Sequence, residues 1–436
     1  MSDPVVDNAV PSGNSSVAIP TDISGQILDL DEDDDLEVFS KGTTLTEGSS
    51  FNASMQTSPA SLINQYKFEE EEDGDADTKD IFVTVDNPES IVTAIETFVT
   101  YRVMTKTTRS EFDASEFEVR RRYQDFLWLK GRLEEAHPTL IVHPLPEKFV
   151  MKGMVERFNE DFIETRRKAL HRFLNRIAEH PIFSSTDDFK IFLTAESGEL
   201  TSHKKQGPGF LSRMGETVKA VAASVRGVRN RPEEFTDMQE YVEAFTQKIG
   251  SLDKVSQRIV REKKEHLEEL KESGPIYTLW SQSEEELAEP LKRMAGCLDS
   301  CCKETEEQVK ELNDHLIPVL HEYVLCTETL KAVLRRRDNI QADFEAKTEA
   351  LAMKKADRDA MRVELDKMED RMEWANNALK SDWTRWQKVM RTDLRSAFVD
   401  TAERNVNYYE KCLAVWESFL HSQRTEAEGN GKVDSS

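Results

Sequence analysis

The second half of this chain limits its fold more than any other feature. Residues 232–424 are almost free of glycine and repeat apolar side chains every three or four positions, as helices that bury one face must. One stretch runs through Phe235, Met238, Val242, Phe245, Ile249, Leu252 and Ile259. A second begins near Ser283 and carries Leu287, Leu291, Met294, Leu298, Val309, Leu312 and Leu316. A third carries Leu379, Trp383, Trp386, Met390, Leu394, Phe398, Val406, Tyr409, Leu413, Trp416 and Leu420. About 65 residues at ~1.5 Å each make this last helix about 95 Å long, more than a compact globule of this size can hold. The pattern predicts an elongated, all-α, antiparallel three-helix bundle. Pro290 and Pro318 fall inside the second pattern and predict kinks.

The apolar stripes are wider than three helices can cover, so the bundle is expected to dimerise. Trp383, Trp386, Tyr409 and Trp416 are the expected anchors of that contact. Ala402 and Asn405 interrupt the stripe and would meet their own copies in a self-paired seam, which favours a heterodimer with a related chain. Basic residues gather in the same half, at Arg335, Arg336, Arg337, Lys354, Lys355, Arg358 and Arg362. They are candidates for a face that meets anionic lipid, at up to about 1 kcal/mol per charge.

The opposite end of the chain behaves differently. Residues 1–78 hold eighteen Asp and Glu against Lys41 and Lys67, so −16 of the net −25 lies there. With no sustained apolar period, this tail cannot offset its ordering entropy and is expected to be disordered. A short tail, 425–436, is expected to be disordered as well.

Several function classes are excluded. No Walker loop, GxSxG elbow or dinucleotide fingerprint occurs, and "HEYVL" at 321–325 lacks the second histidine of a zinc-protease helix. Cys297, Cys301 and Cys302 cluster, but no second Cys/His pair stands at zinc spacing, so neither a metal nor another cofactor is expected. No nucleic-acid partner is expected either. No run of about 18 apolar residues exists, and "MSDPVVDNAV" has no signal-peptide character. A non-enzymatic cytoplasmic protein with reduced thiols is the expectation.

Residues 79–196 read as a separate α+β domain. "DIFVTVDNP", "TAIETFVTYRVMTKT" and "SEFEVRRRY" are rich in β-branched and aromatic residues, with Asn87-Pro88 as a turn between the first two strands. Helical spacing then begins at Phe126, Leu129 and Leu133, and three prolines interrupt it in "HPTLIVHPLPEKFV". A long helix follows with Phe158, Phe162, Leu170, Phe173, Leu174 and Ile177 on one face. "STDDFKIFL" closes the domain as a short helix. Within this layout Arg122 falls where a strand meets a helix, with Gln124 and Asp125 near a helix N-terminus whose free N–H groups favour an anion. Lys148 follows the stiff "PLPE", and Arg166 lies on the long helix. A guanidinium fork, an ammonium and a second guanidinium on three separate elements suit a phosphorylated sugar ring, whose flat face Tyr123 can cover.

"RRRYQDFLWL", "LPEK" at 145–148 and "RRKALHRFL" together resemble, in order, the three signatures of the phox-homology (PX) domain. The resemblance implies that Arg122 binds the 3-phosphate of phosphatidylinositol 3-phosphate, that Tyr123 stacks on the inositol ring and that Lys148 binds the 1-phosphate. It implies that Arg166 binds the ring hydroxyls, with Arg167 and Lys168 as close competitors, and that Gln124 makes a backbone contact.

Between the domains, residues 198–231 hold seven Lys and Arg against two Glu. Leu211, Met214, Val218, Val221 and Val225 recur at spacings of three and four, opposite basic residues. This describes a membrane-inserting interfacial helix, or else a helix that packs on its neighbours. A PX domain, an amphipathic helix in a 197–231 linker and a BAR-like bundle over 232–424 resemble the PX-BAR sorting nexins. That resemblance implies curvature sensing on early endosomes, a role in endosomal recycling and autophagy, and a heterodimer partner similar to sorting nexin 4. The alternative is a coiled-coil protein-interaction scaffold without lipid specificity, with "PLPE" as a groove ligand.

Overall fold

The computed structural model describes residues 80–93, 97–147, 159–206, 228, 230–353 and 358–430. The acidic segment 1–78, Lys148, Phe158, Lys354, Lys355 and the interfacial positions Leu211, Met214, Val218, Val221 and Val225 lie outside them.

The first domain is built on three strands, β1 (Ile81–Val92), β2 (Thr97–Thr107) and β3 (Glu116–Arg122), in the order β1-β2-β3. β2 and β3 run antiparallel, with Tyr101 opposite Arg121 and Val103 opposite Val119. Alternation sends Ile81, Val83, Val85, Tyr101, Val103 and Val119 inward. Against them pack α1 (Tyr123–Ala136), α2 (Glu160–Ala178) and α3 (Asp187–Thr194), through residues such as Phe126, Leu129, Leu170, Phe173 and Phe192.

Asn87-Pro88 is not the expected turn. β1 continues through it, with Asn87 at φ 41°. Asparagine tolerates the left-handed region, and a proline without an amide proton costs little on an edge strand. The kink is pinned from β3, where Arg120 donates to the Asn87 carbonyl at 2.8 Å and pairs with Glu89 at 3.2 Å. The edge of β1 is covered by one face of α2. Val85 N–H donates to His171, Arg167 donates to the Val85 carbonyl, and Asn175 donates to that of Val83.

A short helix, α4 (Ser197–Gln206), also docks on the first domain through the buried Leu200.

The second domain consists of α5 (Glu233–Trp280), α6 (Ala288–Glu311), α7 (Ile317–Met353) and α8 (Arg358–Asn430). α6 and α7 are joined through a π turn, Leu312–Leu316, so three long helical rods result, as the periodicity predicts. Pro290 produces no kink, because it is the third residue of α6, where amides lack intrahelical acceptors in any case. Pro318 is accommodated by the π turn just before it, which relieves the clash with the carbonyl four residues back. α5 also contains Pro275, beside Gly274, where a Cβ would lie 2.7 Å from Asp299 Oδ1, so a larger residue there would require the exposed Asp299 side chain of α6 to move. α8 continues to Asn430, beyond the expected end at 424; its 73 residues extend about 110 Å.

The bundle core joins Phe235, Val242 and Ile249 of α5 to Leu320, Tyr323, Cys326, Leu330 and Val333 of α7 and to Leu379, Trp383, Trp386 and Met390 of α8. Trp383 and Trp386 are thus core residues of one chain and not anchors of an intermolecular contact; Tyr241, Phe245 and Tyr323 pack on their rings. The remaining aromatic positions differ. Tyr409 is 62 % and Trp416 40 % exposed, in a stripe with Phe398, Val406, Leu413 and Leu420. Asn405 accepts from Gln308 within the bundle, so it does not interrupt that stripe. Of the three consecutive arginines at 335–337, Arg337 is fully buried over the Phe235 ring and bonded to Asn376, and cannot meet lipid. Arg336 faces Glu134 of the first domain, while Arg335 and Arg362 are exposed.

Candidate functional site

The three arginines that end β3 have three different tasks, because a strand alternates and a helix starts beside them. Arg120 holds the β1 kink. Arg121 points inward and is fully buried, donating to the carbonyls of Phe192, at 2.8 Å, and Ala195, at 2.5 Å. These carbonyls lie in the last turn of α3 and at its C-cap, where unpaired acceptors need donors. Burial lowers the Arg121 guanidinium pKa to about 10, with Asp125 and Glu199 opposing the shift, so it stays charged near neutrality. Arg122 is the N-cap of α1, in extended conformation (φ −83°, ψ 164°), which turns its side chain away from the core at a helix N-terminus.

Asp125 fixes this junction. It is buried in the first turn of α1 and accepts the Arg122 N–H at 2.7 Å. Its other oxygen pairs with Lys204 of α4. The helix start that presents Arg122 is therefore tied to the helix that leaves the domain.

Tyr123, the first residue of α1, is half-buried and donates its hydroxyl to the Pro146 carbonyl at 2.5 Å. Burial raises the Tyr123 phenol to about 12, with Arg166 opposing, so it remains a donor at any ordinary pH. The Arg166 guanidinium lies 4.4 Å from the centre of the Tyr123 ring and 4.4 Å from that of Phe162, one turn earlier on α2. It also donates to the Glu147 carbonyl at 3.2 Å. The "PLPE" segment is thus fastened to Tyr123 and Arg166 at the residues just before Lys148.

The structure brings Arg122, Tyr123, Gln124 and Arg166 to one end of the first domain; Lys148 lies outside the described residues. It also separates Arg166 from its neighbours in sequence. Arg167 pairs with Glu164 at 2.7 Å, and Lys168 pairs with Asp314 of the bundle at 2.8 Å. Sequence reading placed Phe162 on the core face and overlooked Lys204. An aromatic four residues before an arginine on a helix was the available signal for Phe162. Nothing local marks Lys204, whose partner is 79 residues away.

Among the described residues no helix is long and apolar enough to cross a membrane, and no cluster of His, Cys, Asp or Glu could hold a metal ion. The described cysteines are free thiols.

Comparison with known proteins places this geometry. The PX domain family matches residues 109–196, and the "Vps5 C terminal like" family matches residues 211–392. Sorting nexin-7 of Mus musculus is 64 % identical over 374 residues, covering 86 % of this chain and 96 % of that protein. Sorting nexin-30 of Danio rerio is 45 % identical over 394 residues, covering 90 % of each. Sorting nexin-4 of Homo sapiens is 30 % identical over 266 residues, 60 % of this chain and 58 % of that one. A chain of the SNX-BAR Mvp1 tetramer, solved by cryo-EM, shares the fold. Its TM-score is 0.53 at 17 % identity, and the match covers 78 % of this chain and 99 % of that one.

Proposed function

Because the chain belongs to the PX-BAR sorting nexins, which are non-enzymatic trafficking proteins, we propose that it binds phosphatidylinositol 3-phosphate on early endosomes and senses or stabilises curved membrane there as a dimer. The observation that carries the lipid reading is the grouping of Arg122 at the α1 N-terminus with Tyr123 and the ring-flanked Arg166. A guanidinium over the Tyr123 ring, a second on the residue just before that tyrosine, and a helix N-terminus suit a monophosphorylated inositol ring. Arg122 takes the 3-phosphate. Arg166 takes ring hydroxyls, and Tyr123 covers the ring with the part of its own face that Arg166 leaves open. Lys148, next to the fastened "PLPE", takes the 1-phosphate, and Gln124 contributes through its backbone. Leu211, Met214, Val218, Val221 and Val225 supply the inserted helix of the 197–231 linker. Endosomal recycling and autophagy-related transport are the processes that fit these parts.

Co-sedimentation of the full chain with vesicles is the direct test. Vesicles containing phosphatidylinositol 3-phosphate should bind at least tenfold more tightly than vesicles containing unphosphorylated phosphatidylinositol, as a charge-assisted contact worth about 1.5–3 kcal/mol requires. Equal binding to both would sink the headgroup assignment and favour a scaffold that ignores the lipid.

The dimer reading rests on a different surface. α8 exposes Phe398, Val406, Tyr409, Leu413, Trp416 and Leu420, and α5 exposes Leu252, Val255 and Ile259, all at helical spacing. Such paired apolar faces are expected to bury themselves against a second bundle. A related sorting nexin similar to sorting nexin 4 is the partner proposed, with self-pairing as the weaker competitor. Val406→Glu with Leu413→Glu should convert the dimer to monomer in analytical ultracentrifugation without lowering helix content. A parent chain that is monomeric at micromolar concentration, alone and with such a partner, would remove this part of the proposal.

A further inference from the structure

α2 has three working faces. Phe162 and Arg166 serve the headgroup site, while Arg167, His171 and Asn175 cover the edge of β1. The third face, Lys168, Arg172 and Arg176 at four-residue spacing, leaves the domain altogether and meets the bundle. Lys168 pairs with Asp314 in the π turn at 2.8 Å. Arg172 and Arg176 both reach Glu322 of α7, at 3.0 and 3.3 Å, and His143 Nδ1 stands 3.4 Å from the same carboxylate. Arg176 also pairs with Asp393 of α8, which accepts the Tyr323 hydroxyl at 2.5 Å.

Two further contacts close the seam. The Ile141 side chain enters the bundle's apolar core, and its N–H donates to Asp382 of α8 at 2.6 Å. His180, at the end of α2, stands 3.1 Å from the other oxygen of Asp382, and both side chains are at most 3 % exposed. Two domains of one chain ordinarily move against each other unless their contact is extensive and well packed. Here an apolar plug, the buried His180–Asp382 contact and partly buried ion pairs at Glu322 and Asp393 span it. Such pairs add little net stability, but their directional contacts favour one geometry.

We propose that this seam makes the headgroup site and the helical bundle one rigid unit, with Glu322 as the positioning residue that fixes α2, and so Arg166, relative to α7 and α8. The proposal rests on the phosphatidylinositol 3-phosphate reading above. Its consequence is geometric. A headgroup held by Arg122 and Arg166 sets the angle at which the bundle meets the bilayer, so vesicle curvature is read through α2. Burial pushes the Glu322 carboxyl upward, but the His143 hydrogen bond and the charges of Arg176, His143 and Arg172 outweigh it and hold the pKa to about 2. The carboxylate is therefore charged across the physiological range, and Glu322→Gln removes that charge while keeping the shape.

The test uses the full chain, as parent, Glu322→Gln and Arg172→Gln, the last because it cuts the same contact from the more exposed side. Three quantities are measured: affinity for soluble short-chain phosphatidylinositol 3-phosphate, affinity for small against large vesicles of equal composition, and hydrogen exchange at the Ile141 amide. Both variants should keep the soluble-lipid affinity. They should lose at least about fivefold in preference for small vesicles, the lower range of a measurable coupling, and exchange Ile141 faster. A purely structural role would lower soluble-lipid affinity and melting temperature together, and that result overturns the proposal. So does a parent-like size preference in both variants. A parent that does not distinguish the 3-phosphate lipid overturns the headgroup reading and takes this proposal with it, whereas a discriminating parent with unaffected variants overturns this proposal alone.

Discussion

Arg122→Gln is expected to reduce binding to phosphatidylinositol 3-phosphate vesicles at least tenfold while leaving the melting temperature unchanged. The side chain lies at the N-cap of α1, outside the apolar core cluster, so its loss is expected to remove a charge-assisted contact to the lipid of about 1.5–3 kcal/mol without opening a cavity. Arg121→Gln should behave in the opposite way. It leaves the carbonyls of Phe192 and Ala195 without their donor inside the first domain, at about 1–3 kcal/mol for each unsatisfied group. Its melting temperature should fall, while affinity per folded molecule persists. Vesicle binding and thermal unfolding measured on the two variants check this crossed pattern. Parent-like vesicle binding by Arg122→Gln would rule out the role given to that residue.

Trp386→Ala is expected to destabilise the bundle by about 3–5 kcal/mol, the usual cost of deleting a fully buried aromatic. Trp386 is 2 % exposed, with Trp383, Phe245 and Tyr323 rings centred 5.5, 5.7 and 6.4 Å away. The cavity would open where α5, α7 and α8 meet, so collapse of the neighbours cannot fill it cheaply. Trp416→Ala, at a position 40 % exposed, should cost far less in the stability of one chain and should weaken association instead. Urea unfolding followed by far-ultraviolet circular dichroism distinguishes them. Equal losses for the two tryptophans would contradict the division of α8 into a core half and an exposed half.

That division shows where periodicity stops being informative. Trp383, Trp386, Tyr409 and Trp416 follow one helical pattern in the sequence, and apolar spacing alone marks them all as buried against something. Whether that something is α7 of the same chain or another chain depends on where neighbouring helices end, which is a property of the assembled bundle. The consecutive arginines at 335–337 pose the same problem in reverse. Their charge suggests a lipid-facing strip, yet Arg337 is enclosed by Phe235, Asn376 and Asp338 because the helix turns it inward.

The proposed headgroup residues are more legible. The order of "RRRYQDF", "LPEK" and "RRKAL" marks a candidate site, because those residue types on rigid elements suit a phosphorylated ring. Local rules also explain the strand-to-helix switch at Arg122 and the strand alternation that buries Arg121. Asn87-Pro88 reads as a turn in the sequence but continues β1, because turns and kinks at a strand edge use the same residues.

The order of residues carries the division into a mixed domain and a helical half, the candidates for a phosphate-binding set and apolar stripes wider than three helices cover. Those follow from period, charge and spacing along the chain, which survive without coordinates. Tertiary structure alone decided that Phe162 flanks Arg166, that Lys204 holds Asp125, and that Glu322 gathers His143, Arg172 and Arg176 across the seam. Each of the last two joins residues from 79 to 179 positions apart in the chain. Hydrophobic periodicity says which face of a helix is covered; only the packed domains say which charge on a distant element is there to meet it.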